Sequence, residues 1–189
     1  MNTPRIARQL TISLGILLIA SCAAVQKEKA GTYQPQVGQS GKDVVWVPTP
    51  QALVDKMLDM AQITPEDFVI DLGSGDGRTV ITAAKRGVRA LGVEFNPDMV
   101  KLSRKNAQKE GVAGKAAFIR ADLFKTDLSQ ATVITMFLLS SINLKLRPKI
   151  LDLKPGTRIV SNTFTMGDWE ADETATVNAG DSSYNTALL

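Results

Sequence analysis

Histidine is absent from this 189-residue sequence, and cysteine occurs once. Without histidine there is no Ser-His-Asp or Cys-His triad, and a Cys/His zinc site is excluded with it. A lone cysteine permits no disulfide within the chain. Aromatic residues make up only 5%, which argues against a platform on which nucleic-acid bases stack. A large excess of either charge is missing too, with 22 Lys and Arg against 19 Asp and Glu. Two of the basic residues, Arg5 and Arg8, precede the first apolar stretch. The near-balanced remainder gives no electrostatic case for nucleic acid as a partner. Chemistry here must run on carboxylates, hydroxyls, amines, rings, backbone groups or a bound cofactor, with no metal expected.

What is present is a globular composition, 44% hydrophobic and 22% charged, with length for one domain and a sizeable core. The first residues, "MNTPRIARQLTISLGILLIASCAA", have a basic start, an apolar centre and small residues before Cys22. Signal peptides are built this way, and the apolar run is short for a membrane span. Its end, "IASC", resembles the lipobox of bacterial lipoproteins, which implies lipidation at Cys22. An uncleaved anchor and an ordinary apolar start are the alternatives. Residues 1–22 are therefore expected as signal peptide, lipobox or membrane anchor, 23–43 as a flexible linker, and 44–189 as the folded domain. Membrane association through the N-terminus and an envelope location follow, in tension with any cytosolic cofactor.

Beyond Val44 the pattern alternates. "TPQALVDKMLDMA" reads as a helix with Thr49 at the N-cap and Pro50 at the first turn. "DFVIDLG" reads as a buried strand, "RTVITAAKRG" as a helix closed by Gly87, and "RALGVEF" as a second strand. A helix from Pro97 to Gly111 follows, then strands in "AAFIRADLF" and "ATVITMFLL". A helical segment interrupted at Pro148 and a strand in "GTRIVSNTF" complete the run. Such alternation predicts an α/β, Rossmann-like, doubly wound, mainly parallel sheet with helices on both faces. Only "EADETATVNAGDSSYNTALL" remains for closing antiparallel strands, so that edge is expected to be stunted or truncated.

In a sheet of this kind, ligands sit beyond the carboxyl ends of the strands. Asp71, Glu94 and Asp122 stand at the ends of the first three. Between the first two lies Gly73-Ser74-Gly75-Asp76-Gly77, whose glycines are two apart and miss the dinucleotide spacing G-x-G-x-x-G. Asp71 and Asp76 flank and interrupt it. A carboxylate about 4 Å from a diphosphate charge costs on the order of 4 kcal/mol at an effective dielectric near 20. The same charge favours a ligand carrying an ammonium and a sulfonium, and S-adenosylmethionine carries both without a phosphate. An NAD-dependent oxidoreductase loses on Asp76 and on the glycine spacing.

These motifs resemble class I S-adenosylmethionine-dependent methyltransferases. The resemblance implies that Asp71 and the loop hold the methionine moiety, Glu94 the ribose, and Asp122 with Leu123 the adenine. "WVPTP", "LRPKILDLKPGTRIVSNTF" and "GDW" are similar to a small family of protein-lysine methyltransferases. Its eukaryotic members modify the ATP synthase c-subunit and the adenine nucleotide carrier. That likeness implies a protein acceptor, with membrane-embedded proteins among the candidates, and Val47, Pro48 and Thr49 lining the mouth. Thr49, Phe137 and Trp169 are candidates for shaping an acceptor channel, and no residue stands out as a catalytic base. The place where amino methyltransferases of nucleic acids carry Asn or Asp, two prolines and an aromatic reads "TMFLLSS", which disfavours a base as substrate. A methyltransferase of a small molecule or other acceptor, and an exported lipoprotein binding module of the same fold without activity, remain as alternative readings.

Overall fold

The computed structural model describes Met1 and residues 33–189. Cys22 and the expected signal or anchor segment lie outside the described residues. Among the described residues no helix is long and apolar enough to cross a membrane.

Four helices and seven strands alternate along the chain: α1 (Gln51–Met60), β1 (Phe68–Leu72), α2 (Arg78–Lys85), β2 (Arg89–Glu94), α3 (Pro97–Lys109), β3 (Ala116–Arg120), β4 (Val133–Met136), α4 (Ser140–Leu151), β5 (Arg158–Asn162), β6 (Thr174–Thr176) and β7 (Thr186–Leu188). They form one sheet in the order β3-β2-β1-β4-β5-β7-β6. Strands β1 to β5 run parallel, and β7 pairs antiparallel with both β5 and β6. The order reverses at β1, where chain neighbours lie to one side and β4 to the other. A crevice opens at such a switch point. The closing strands are present, although each is only three residues long.

Both faces of the sheet are covered. On one, Val69 and Val133 pack against Leu53, Met57, Val80 and Val100 from the first three helices. On the other, Ile70, Leu72 and Met136 pack against Leu128 and against Ile142, Leu146 and Ile150 of α4. Period-two alternation within β1 and β4 explains this, because successive side chains enter opposite layers.

Two local expectations are corrected. Thr49 does not cap α1; the N-cap is Pro50, and no side chain caps there. The Thr49 hydroxyl instead faces Asn162, whose Nδ2 lies 3.4 Å away. Pro148 lies within α4 without ending it. Ile142, Leu146 and Ile150 are spaced by four, so one buried stripe holds the helix across the missing N–H.

Candidate active site

The glycine loop leaves β1 and enters α2 as a chain of left-handed turns, with Gly73, Gly75 and Gly77 at φ of +76°, +53° and +86°. Its amides are anchored to β2, since Gly73 N and Ser74 N both donate to the Val93 carbonyl, at 2.9 and 3.1 Å. At Gly75 a methyl group would sit 2.6 Å from Trp46 Nε1. Glycine is therefore required there twice, by backbone angle and by the close approach of the ring. Gly77 plays a different part from the one expected. It lies at the N-cap of α2, where a methyl would strike Phe118 and Ser103 at 2.7 Å, and it does not line the cleft.

A cleft of about 350 Å³ opens beyond the strand ends. Val47, Pro48, Thr49, Asp71, Gly73 and Ser74 line it. Gly75, Asp76, Glu94, Asp122, Leu123 and Phe137 line it as well. Trp169 does not. It borders a separate hollow beside β5, its ring 5.9 Å from the Arg147 guanidinium. Its expected place in the acceptor channel is thereby corrected: of the three candidates, Thr49 and Phe137 line the cleft and Trp169 lines the neighbouring hollow.

The four acidic residues are not equivalent. Asp71 is buried, and its Oδ1 accepts a 2.6 Å hydrogen bond from Thr135 Oγ1, its register partner on β4. Burial, followed by the nearby charges of Glu94 and Asp76, outweighs that bond and pushes the carboxyl up to about 7. Glu94 closes the loop onto the second strand, accepting from Gly75 N at 3.0 Å and Asn96 N at 2.8 Å. Asp76 forms a two-point ion pair with Arg78, at 3.0 Å from Nε and 2.6 Å from Nη2, and Arg78 Nη1 reaches the Thr49 carbonyl at 2.8 Å. Asp122, two residues past β3, accepts from Phe124 N at 3.0 Å and from Lys42 Nζ at 2.9 Å. The Lys42 hydrogen bond, with that backbone amide, holds its carboxyl below the usual range. The expected repulsion of a diphosphate therefore rests on Asp71 and Glu94, since Asp76 and Asp122 each carry a cation partner.

Several contributors carried no sequence signal. Residues 36–43, expected as part of the linker, fold together with 44–46 over the cleft, and Gln39 to Trp46 line it. Phe164 and Tyr184 join Phe137 at the other end, with ring centroids 5.1 to 6.0 Å apart. Phe164 follows Thr163, a non-glycine residue at φ +60°. Its carbonyl is fixed by Ser161 Oγ at 2.6 Å and Asn143 Nδ2 at 2.9 Å. Strained turns of this type persist where surrounding contacts over-determine them. Phe164 stood in the quoted "SNTF" without a role, whereas Tyr184 reaches the site only through the β6–β7 return.

Three features fit an adenosyl ligand with positive charge. The loop backbone at Gly73 and Gly75 is bare, Asp71 and Glu94 face the cleft, and Arg78 is already tied to Asp76. Ser74 Oγ is also buried with no hydrogen-bond partner among the described residues. Among those residues there is no metal-binding cluster.

Comparison with known proteins agrees with this geometry. The profile of the ANTKMT methyltransferase domain matches residues 71–173. A protein-lysine N-methyltransferase of Saccharolobus islandicus is 43% identical over 148 residues, which is 77% of this chain and 92% of that protein. The ATP synthase c-subunit lysine N-methyltransferase of Rattus norvegicus is 37% identical over 68% of this chain, which spans 60% of that protein. A crystal structure described as an RNA methyltransferase from Salinibacter ruber, in complex with S-adenosyl-L-homocysteine, is 46% identical with a TM-score of 0.70. The match covers 75% of this chain and 91% of that one. With a family match over more than half of its length and relatives above 40% identity, the chain belongs to the ANTKMT methyltransferase family and is an S-adenosylmethionine-dependent methyltransferase.

Proposed function

We propose that the acceptor is a lysine side chain of a protein and that methyl transfer to its amine is in-line. The observation that carries this is the 43% identity to a protein-lysine N-methyltransferase across 92% of that protein's length. The wall of Phe137, Phe164 and Tyr184 supports it. Flat rings accept an aliphatic stem along their faces and attract a cationic nitrogen. Bound in the cleft, S-adenosylmethionine supplies a methyl carbon made electrophilic by its sulfonium. An ammonium has no lone pair to attack with, so the acceptor amine must arrive unprotonated. Desolvation against the three rings lowers a lysine pKa in that direction. Asp71, Glu94 and the bare loop orient the donor, and no side chain is assigned as a general base.

RNA is the second reading, favoured by the description of the Salinibacter ruber structure at 46% identity. Base faces also stack on aromatic rings. Incubating the full chain with methyl-labelled S-adenosylmethionine and separated protein and RNA fractions decides between them. Label on lysine after protein hydrolysis is the expected result. Label confined to RNA, or to low-mass material, overturns the lysine assignment.

The apolar run before Cys22 further suggests a membrane-apposed location, which would bring the chain close to membrane-embedded acceptor proteins. Metabolic labelling with a fatty acid, compared between the natural chain and Cys22→Ser, tests it. Loss of label and of membrane fractionation in the variant is expected, and an unlabelled natural chain contradicts lipidation.

A further inference from the structure

Residues 36–46 form a small unit with its own hydrogen bonds. Gly38 N donates to the Trp46 carbonyl at 2.8 Å, and Trp46 N donates to the Gln39 carbonyl at 2.9 Å. Gly41 N donates to the Val44 carbonyl at 2.9 Å, and Ser40 bridges antiparallel to Val45. At the base of the turn, the Gln39 side chain accepts from Gln36 N and donates to the Tyr33 hydroxyl. These bonds tie the turn into one unit.

Its hold on the α/β body is slight and specific. Lys42 Nζ reaches Asp122, 80 residues away, at 2.9 Å and lies 5.0 Å from the centre of the Phe95 ring. Trp46 lies against the bare backbone of Gly75, and Val44 packs on the layer of Ile70 and Leu72. Glu94 and Asp122 stand at the end of the cleft that this turn crosses. The aromatic wall stands at the other end.

We propose that residues 36–46 are a strap closing the adenosine end of the cleft, latched by Lys42 on Asp122, and that release of the latch limits cofactor exchange. The proposal rests on the cofactor reading of this cleft. The latch suits the task because it is weak. Both partners are partly solvent-exposed, at 34% and 21% of the side chain, and pairs of that kind change an equilibrium by only about two- to fivefold. Asp122 also keeps acceptor capacity, since an ionised carboxylate has about four lone-pair positions and two are used here. Lys42 can therefore steady this carboxylate while it accepts a further donor from a ligand. Lys42 is a positioning residue in this scheme.

The chain contains two tryptophans, and in the full chain carrying Trp169→Phe the remaining one, Trp46, reports on the loop. Stopped-flow mixing with S-adenosylhomocysteine at several concentrations gives the association and dissociation rates, and calorimetry gives the affinity. Lys42→Ala is expected to speed dissociation about two- to fivefold, and Lys42→Arg to restore it. Added salt should speed dissociation from the parent more than from Lys42→Ala, because the parent has the additional exposed ion pair to screen. Gly41→Ala attacks the strap without touching charge, since the added methyl would meet the Val44 carbonyl at 2.3 Å. It too should accelerate release. Unchanged dissociation in both alanine variants, or slower dissociation in Lys42→Ala, overturns the latch while leaving the cofactor site intact. A parent that binds no S-adenosylhomocysteine by either method overturns the cofactor reading, and the strap with it.

Discussion

Replacing Asp71 by asparagine removes a charge from the interior while keeping an oxygen that can accept from Thr135. In the folded chain this carboxyl is pushed from 3.8 to about 7, chiefly by burial. A shift of roughly three pKa units corresponds to about 4 kcal/mol. The folded state thus binds its proton more tightly than the unfolded state. Any stability linked to that proton is fully present below pH 3.8 and is lost as pH rises through 7. Between pH 5 and pH 8 the natural chain should lose roughly 2.5 kcal/mol from this group alone. The Asp71→Asn variant loses none of it. The unsatisfied amide hydrogens of the variant cost on the order of 1–3 kcal/mol, but that offset is the same at both pH values. Urea denaturation of both proteins at pH 5 and pH 8 isolates the effect, with the stability difference moving by roughly 2.5 kcal/mol in favour of the variant. A difference that does not change with pH would refute the burial argument. Cofactor binding should move oppositely, because a cationic ligand selects the ionised carboxylate. S-adenosylmethionine affinity of the natural chain should fall about tenfold from pH 8 to pH 6, while the variant binds weakly with a flat profile.

Glu94→Gln removes the charge and leaves an acceptor for only one of the Gly75 and Asn96 amides, which bond different carboxylate oxygens. Calorimetry should show S-adenosylhomocysteine binding weakened about ten- to a hundredfold, and unaltered affinity contradicts the role of Glu94. Tyr184→Ala opens the aromatic wall that Tyr184 shares with Phe137 and Phe164. Steady-state kinetics should show acceptor KM rising about two- to tenfold with cofactor affinity unmoved. Gly92→Ala places a methyl 2.5 Å from both the Phe118 ring and Ser74 Oγ. Denaturation should register a loss of about 1–3 kcal/mol from this overpacking.

The alternation of strands and helices was legible because both faces of the sheet are buried, which forces apolar runs in β1 and β4 and periodic stripes in α1 to α3. The loop was legible for a related reason. Left-handed turns at Gly73, Gly75 and Gly77 tolerate little else, so the backbone wrote itself into the residue types. Long-range pairing left no such trace. Lys42 meets Asp122 across 80 residues, and nothing in "QVGQSGKD" distinguishes a folded strap from a linker. Asp76 looked like an unopposed charge because its partner Arg78, two residues on, also begins a helix. Tyr184 sits beside Phe137 only once β6 and β7 return the chain, and three-residue strands give too short a pattern to read. Pro148 misled through a sound local rule that tertiary packing overrode.

Titration calorimetry of the full chain against S-adenosylhomocysteine and NAD at pH 8, compared between the natural loop and Gly75→Ala, probes the cleft most directly. The thioether nucleoside should bind with one-to-one stoichiometry and lose affinity when the added methyl meets Trp46, whereas NAD gives no heat. Saturable binding of the diphosphate to the natural chain, undiminished by the loop substitution, would contradict the assignment of this cleft.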